Sequence, residues 1–227
     1  MRRKSWLAEF IGSFALLFIG VGAIAAGGDL VAVALAHGLT IAAMVTAFGP
    51  LSGAHFNPAV TLAFLVTGRI GAVTLLSYWS AQLAGSSLAT ALLASLYCAE
   101  ALVASHYGAP RLQEGLSLWA GAGIESVITF FLATVIFAVT IQRHANAGLY
   151  IGAAVTLCAL GAGPLTGAAM NPARAFGPAL VSGAWEGQWI YWLGPFAGAA
   201  LAALVLDYVY HRPAAQGVLE TPPQSHG

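Results

Sequence analysis

The sequence predicts an all-α membrane protein, with six transmembrane helices and two re-entrant half-helices arranged as an inverted repeat. Three observations predict it. Of 227 residues, 59% are hydrophobic and 7% charged, against about 25% charged in a typical soluble domain, so lipid is the natural solvent for most of the surface. Six apolar stretches are long enough to cross roughly 30 Å of hydrocarbon, which takes about 20 residues. Two more are about half that length, and each follows the same short motif.

The long stretches cover residues 6–26, 30–48, 72–97, 118–140, 148–163 (the shortest) and 187–210. The first begins directly after Met-Arg-Arg-Lys-Ser-Trp, with no Ala-x-Ala cleavage site, and reads as a retained anchor helix. Gly194 and Gly198 have the small-xxx-small spacing that lets helices approach closely in lipid. Trp6, Trp79, Trp119, Trp185, Trp189, Trp192, Tyr191 and Tyr208 fall near span ends and read as interfacial anchors. Arg2, Arg3, Lys4, Arg69, Arg143 and Arg212 fall on one side of a six-span chain, so both termini are expected in the cytoplasm. Asp207, near the last cytoplasmic end, reads as an interfacial charge, and the Pro-containing tail, 211–227, is expected to be disordered. Repeats of about 5–100 and 118–210 then form a single membrane domain, 1–227.

Eight Lys or Arg balance eight Asp or Glu. Without a cluster of cations the chain has no footprint for nucleic acid. Cys98 and Cys158 do not make a disulfide framework, and no Cys/His spacing for a metal is present. No nucleophile–base pair, metal cluster or phosphate loop points to an enzyme, and no cofactor is expected.

The half-length pieces, residues 57–66 and 172–181, would extend about 15 Å at 1.5 Å per residue. Each opens with Asn then Pro, a good N-cap followed by a good first helical residue. Irregular backbone at membrane depth is tolerated only where it is buried in protein or lines a cavity, so an aqueous path is implied. Sliding the chain by 114 residues lays Gly49-Pro50-Leu51-Ser52-Gly53-Ala54-His55-Phe56-Asn57-Pro58-Ala59 over Gly163-Pro164-Leu165-Thr166-Gly167-Ala168-Ala169-Met170-Asn171-Pro172-Ala173, with eight of eleven positions identical. Three spans per half make the second copy enter from the opposite face. Glu9 and Glu125 precede the two Asn by 48 and 46 residues. Buried at membrane depth, they are expected to accept hydrogen bonds from loop N–H groups, with a proton relay as the alternative.

Half-helices entering from opposite faces bring two N-termini, each about +0.5 elementary charge, to one point. That point repels cations. Asn57 and Asn171 offer side-chain N–H donors there, and the loop carbonyls before each Asn are expected to supply a row of acceptors. Water fits such a site: accepting from two amides, it would orient its neighbours away on both sides and interrupt a proton-conducting chain.

The boxes "SGAHFNPAV" and "TGAAMNPARAFGPAL", with "AEFIGSF" at the start, resemble the aquaporin or major intrinsic protein family over nearly the whole chain, Ala8 to about Tyr210. The resemblance implies a right-handed six-helix bundle, one pore per subunit and a homotetramer. It assigns the pore boxes Asn57, Pro58, Ala59, Asn171, Pro172 and Ala173, and vestibule positions Gly53, Ala54, His55 and Gly167. It carries the filter to Arg174, Ala168, His37 and Ala159, where a one-residue shift would put Cys158 or Leu160 in place of Ala159. Water-selective members usually carry Phe and His where this chain has His37 and Ala159. His37 with a small loop residue and Arg resembles the ammonia-conducting, tonoplast-type branch.

His37 reads as filter residue or as a packed helix histidine, His55 as a loop brace or a gate, and His106 as a solvated loop residue or an outer-mouth donor. Phe56 and Met170 read as packing residues. The expected function is a passive channel for water, ammonia and other small neutral solutes. Glycerol facilitation is the alternative, although Ala175 follows Arg174 where that pattern places Asp. A coupled carrier also uses inverted repeats, but no acidic ion site at the broken helices supports one. Short loops and tails suit a bacterial inner membrane.

Overall fold

A computed structural model describes residues 2–97 and 99–211. Cys98 and the tail from Arg212 onward lie outside them, whereas His211, the first residue of the tail expected to be disordered, is helical. The described residues are helical: α1 (Arg2–Ala25), α2 (Leu30–Ser52), α3 (Pro58–Val66), α4 (Ala72–Leu96), α5 (Ala99–Ala104), a 3-10 turn at His106–Gly108, α6 (Leu118–Ile141), α7 (Ala147–Thr166), α8 (Pro172–Ser182) and α9 (Ile190–His211). Helices α1, α2, α6, α7 and α9 are long and apolar enough to cross a membrane by composition alone. Helix α4 has the length, 25 residues, but carries polar residues at Gln82, Ser86 and Thr90. Spaced by four they share one face, and all three are fully buried.

The surface is inverted relative to a soluble protein. Leu39, Leu76, Leu157 and Val209 are exposed, whereas Glu9, Gln82 and Glu125 are fully buried. An apolar exterior over a polar interior is what a bilayer solvent selects.

Two-fold repetition governs the packing. α1 lies on α4, α6 on α9, and α2 on α7. The expected Gly194–Gly198 contact is the α6–α9 seam: a Cβ on Gly198 would stand 2.0 Å from the Ser126 carbonyl oxygen. At that separation only hydrogen fits, and the close approach it permits is what holds helices together where lipid tails compete for apolar surface. Each half-helix leans on the other repeat, α3 on α9 and α8 on α4.

Several boundaries differ from expectation. α2 and α7 continue through Pro50 and Pro164 to Ser52 and Thr166, making α7 a full span of 20 residues. Each proline removes one i→i−4 bond, but the next turn still closes, with Gly53 N–H to Gly49 O and Gly167 N–H to Gly163 O, each 2.9 Å. Of the expected interfacial anchors, Tyr191 is instead interior and Trp79 is half-buried. The Trp79 indole donates to Pro58 O at 3.0 Å and stacks on Phe196, and buried Tyr191 donates its hydroxyl to Thr166 O at 2.9 Å. Tyr191 is drawn inward because the Thr166 carbonyl, at the C-terminal end of α7, is one that the helix leaves without a donor. Asp207 is likewise more than a surface charge: it pairs with Arg69 at 2.9 Å, joining the chain after α3 to α9. Arg69 also sits 5.2 Å over the Phe137 ring.

Candidate functional site

Asn57 and Asn171 build the centre. Each adopts an extended φ near −154° and caps the half-helix that follows it. Asn57 Oδ1 accepts from Ala59 N–H at 2.8 Å; Asn171 Oδ1 accepts from Ala173 N–H at 3.0 Å and Arg174 N–H at 3.4 Å. Asn supplies this acceptor and Pro at the next position lacks a donor to satisfy, which is why the dipeptide starts a helix in so short a space. The other end of each amide crosses the two-fold axis. Asn57 Nδ2 donates to Met170 O at 2.8 Å and Asn171 Nδ2 to Phe56 O at 2.9 Å. The carbonyls immediately before each Asn are therefore engaged by the opposite amide, but a carbonyl oxygen has two lone pairs, so this bond does not remove either one from the expected row of acceptors. An amide has two N–H groups, so one on each Asn remains for a passing molecule. Pro58, Ala59, Pro172 and Ala173 are buried behind the two Asn and shape the helix starts.

The loops that present the Asn residues are drawn onto two carboxylates. Glu9 Oε1 accepts from Ser52 Oγ at 2.7 Å and His55 N–H at 2.9 Å, and Oε2 from Phe56 N–H at 2.7 Å and Gln82 Nε2 at 2.8 Å. Glu125 repeats the pattern: Oε1 with Thr166 Oγ1 at 2.6 Å and Ala169 N–H at 2.9 Å, Oε2 with Met170 N–H at 2.7 Å. To aim consecutive N–H groups at one carboxylate the chain turns left-handed at residues that seldom do so. Ala54, Phe56, Ala168 and Met170 have φ of 53°, 50°, 41° and 51°. Each such residue costs roughly 1–2 kcal/mol, which charge-assisted hydrogen bonds of about 1.5–3 kcal/mol offset.

A cavity of about 410 Å³ runs through the bundle past both Asn residues. Along α2 its lining extends from Leu30 to Val45, about 22 Å at 1.5 Å per residue. On α7 it uses Ile151, Val155, Ala159 and Gly163, every fourth residue. Ala159 therefore faces the cavity, while Cys158 turns its Sγ to Ile128 O on α6 at 3.5 Å. His37, Ala159, Ala168 and Arg174, from four different elements, all line this one cavity, as do Gly53, Ala54, His55 and Gly167.

Arg174 stands in the first turn of α8, buried, with Nη1 donating to Gly108 O at 2.5 Å. That carbonyl comes from the 3-10 turn, a segment for which the sequence offered no periodicity signal. His37 shares Nδ1–H with Val33 O at 2.8 Å, and its Nε2 has no partner in the protein. The His55 ring is held: Nδ1 meets Thr61 Oγ1 at 3.2 Å, and the ring packs on Phe64 and Tyr78. His106 is exposed at the mouth and contacts Arg111. Phe56 and Met170 are buried in the core cluster, as expected of packing residues, and also border the cavity.

Further interior groups support the loops. Thr61 donates to Asn57 O and accepts from Gln82, Tyr78 donates to Ser52 O at 2.7 Å, and the Ser86 hydroxyl donates to Ala173 O. The polar row at residues 82, 86 and 90 of α4 is the signal that could have found two of them.

A bundle of apolar helices around one long cavity, with two half-helix N-termini meeting inside it, is the architecture of a membrane channel. Comparison with known proteins agrees. The family model "Major intrinsic protein" matches residues 2–206. Aquaporin TIP4-4 of Zea mays is 44% identical over 222 residues, covering 91% of this chain and 86% of that protein. Glycerol uptake facilitator protein-like 6 of Lactiplantibacillus plantarum is 40% identical over 209 residues, covering 88% and 95%. The structure of the aquaglyceroporin from Plasmodium falciparum superimposes with a TM-score of 0.84 at 23% identity, covering 92% of this chain and 97% of that one, a likeness of fold. The chain belongs to the major intrinsic protein family. It is an integral membrane channel for water and small solutes.

Proposed function

We propose that the channel passes ammonia as well as water, and that His37, Ala159, Ala168 and Arg174 form its selectivity filter. The observation that carries the reading is the convergence of these four side chains on one cavity, two of them no larger than a methyl group. Arg174 supplies a fixed positive charge and N–H donors; His37 supplies an Nε2 without a partner in the protein. With Nδ1–H committed to Val33 O, Nε2 of the neutral ring is an acceptor. Arg174 and the His37 imidazole, whose Nε2 is buried against Gly20, add polar groups to a cavity lined largely by small and apolar residues, which suits a small polar neutral molecule such as water or ammonia. Ala159 and Ala168 leave the opening between them wide.

Protons and cations are opposed at two levels. Arg174 repels cations in the filter, and the N-termini of α3 and α8 do so at the centre. The remaining N–H groups of Asn57 and Asn171 fix a water oxygen between them, so its hydrogens point outward to either side and no proton can hop through it. Glu9 and Glu125 act in this reading as loop anchors, because their oxygens are filled with loop donors.

In this reading the subunits assemble as a homotetramer in a bacterial inner membrane with both termini cytoplasmic, as the distribution of basic residues favours. A glycerol facilitator is the second reading, favoured by the name of the Lactiplantibacillus relative. The test is stopped-flow alkalinisation of dye-loaded proteoliposomes under an inward ammonia gradient at constant osmolality, with protein-free vesicles as background. A rate clearly above background supports the ammonia filter. A background rate in vesicles that shrink rapidly under osmotic shock makes the pore water-selective, and glycerol uptake above background selects the second reading.

A further inference from the structure

Helix α1 contributes Leu16 and Ile24 to the cavity wall. Between them, one turn from each, stands Gly20, on the same i, i+4 row but not itself on the wall. The space its side chain would fill is taken by the His37 ring. A Cβ on Gly20 would lie 2.4 Å from His37 Nε2, 2.6 Å from Cε1 and 2.7 Å from Cδ2. No real carbon sits so close, so the ring is accommodated only because residue 20 has no side chain. At the other end of the same ring, Nδ1 is held by Val33 O at 2.8 Å. Pinned there and received by Gly20, the imidazole is buried against α1.

The next residue touches the opposite wall. Val21 is fully buried, and its Cγ2 would be 2.6 Å from a Cβ on Gly108. Gly108, at φ 72°, turns the carbonyl that holds Arg174. Two consecutive residues of α1 thus lie against the filter histidine and against Gly108, whose carbonyl holds the filter arginine.

We propose that Gly20 is a positioning residue that sets the bore of the channel by receiving the His37 ring, an inference that rests on the filter reading above. Any side chain at residue 20 displaces the ring. With Nδ1 tethered to its own helix, the ring swings toward the axis, where Ala159 and Ala168 offer no resistance, and occupies the path.

The test compares wild type with Gly20→Ala, Gly22→Ala and the double variant Gly20→Ala/His37→Ala, reconstituted at equal protein per vesicle. Osmotic water flux and ammonia flux are both read. Gly22→Ala is the control on the same helix, because a Cβ there meets Tyr97 Oη at 3.5 Å and Leu93 Cδ2 at 3.9 Å, ordinary contacts. Gly20→Ala should lower both fluxes about tenfold, the scale of one methylene in a fitted site, while Gly22→Ala leaves them unchanged. Removing the displaced ring in the double variant should restore flux to at least the wild-type level. A merely structural defect would not respond to deletion of a second side chain. Unchanged flux in Gly20→Ala overturns the proposal, and so does a loss that persists in the double variant. Wild-type ammonia flux at background would instead defeat the ammonia reading, and the water ratio of Gly20→Ala to wild type would still report on the seat.

Discussion

Asn57 and Asn171 each commit one amide hydrogen to the carbonyl directly preceding the other, at 2.8 and 2.9 Å. The two half-helices are thereby clasped tip to tip, and the clasp uses the same side chains that cap them. Replacing Asn171 by Ala removes a cap worth about 1 kcal/mol and one arm of the clasp, worth about 1 kcal/mol. Stability should fall by roughly their sum, about 2 kcal/mol, with a lower thermal midpoint in detergent. An unaltered midpoint would contradict the double role.

The two carboxylates are not equivalent. Glu9 has two donors on each oxygen, whereas Glu125 has two on Oε1 and one, Met170 N–H, on Oε2. A glutamine must turn its NH₂ toward donors, losing acceptors and opposing N–H to N–H. At residue 125 it can choose the oxygen with a single donor; at residue 9 it cannot. Glu9→Gln should therefore cost more than Glu125→Gln, which itself should cost about 2–3 kcal/mol. Folded yield and thermal midpoint check the order. If either residue relayed protons, wild-type vesicles would dissipate an imposed pH gradient faster than protein-free vesicles; anchoring predicts equal rates.

Much of this arrangement is legible in the sequence because helix punctuation is local. Asn-Pro announces a helix start whatever surrounds it, so α3 and α8 begin where expected, at Pro58 and Pro172. The same local rule misplaces the ends of α2 and α7. Pro50 and Pro164 read as terminators, yet each helix gains a further turn because Glu9 and Glu125 hold the Ser52 and Thr166 hydroxyls beyond it. Left-handed backbone at Ala54, Phe56, Ala168 and Met170 has no sequence signature, since those residue types avoid it; a distant carboxylate imposes it. Trp79 and Tyr191 misled for a related reason. An amphipathic ring near a span end satisfies its polar atom either in the headgroup region or on a buried carbonyl, and composition does not distinguish the two.

Packing against Ser126 makes Gly198 sensitive to any side chain. Gly198→Leu should part α6 from α9 and, through α9, loosen α3, which rests on it. Folded protein recovered from membranes should drop sharply. The same substitution at Gly123, where a Cβ meets nothing within 4 Å, should leave recovery unchanged. Equal recovery of the two variants would show that the seam tolerates separation.

Arg174→Ala removes charge and bulk from the cavity wall and leaves Gly108 O without its donor. Both changes widen the opening. Urea and glycerol, measured by the re-swelling of vesicles after osmotic shock, should enter faster than in wild type, and the barrier to cations at that level should fall. Solute selectivity identical to wild type would remove Arg174 from the filter.

His37→Phe tests whether the imidazole contributes chemistry or only shape. Phenylalanine fills similar space but has no nitrogen, so the Val33 carbonyl loses the ring N–H and the filter loses Nε2, which lies buried against Gly20 and accepts from ammonia only on turning toward the cavity. Ammonia crossing the filter needs a site for its three N–H groups as well as a donor for its lone pair, and Arg174 supplies only donors. Water gives up fewer hydrogen bonds at the same place. Ammonia flux should therefore fall more than water flux, by a factor near ten if one hydrogen bond of about 1.4 kcal/mol is lost at the barrier. The paired stopped-flow rates, alkalinisation and osmotic shrinkage, give the ratio directly. Equal losses would mean that the ring acts by bulk alone. In that event Gly20 would still govern the bore, because the seat depends on the size of the residue at 37 and not on its nitrogens.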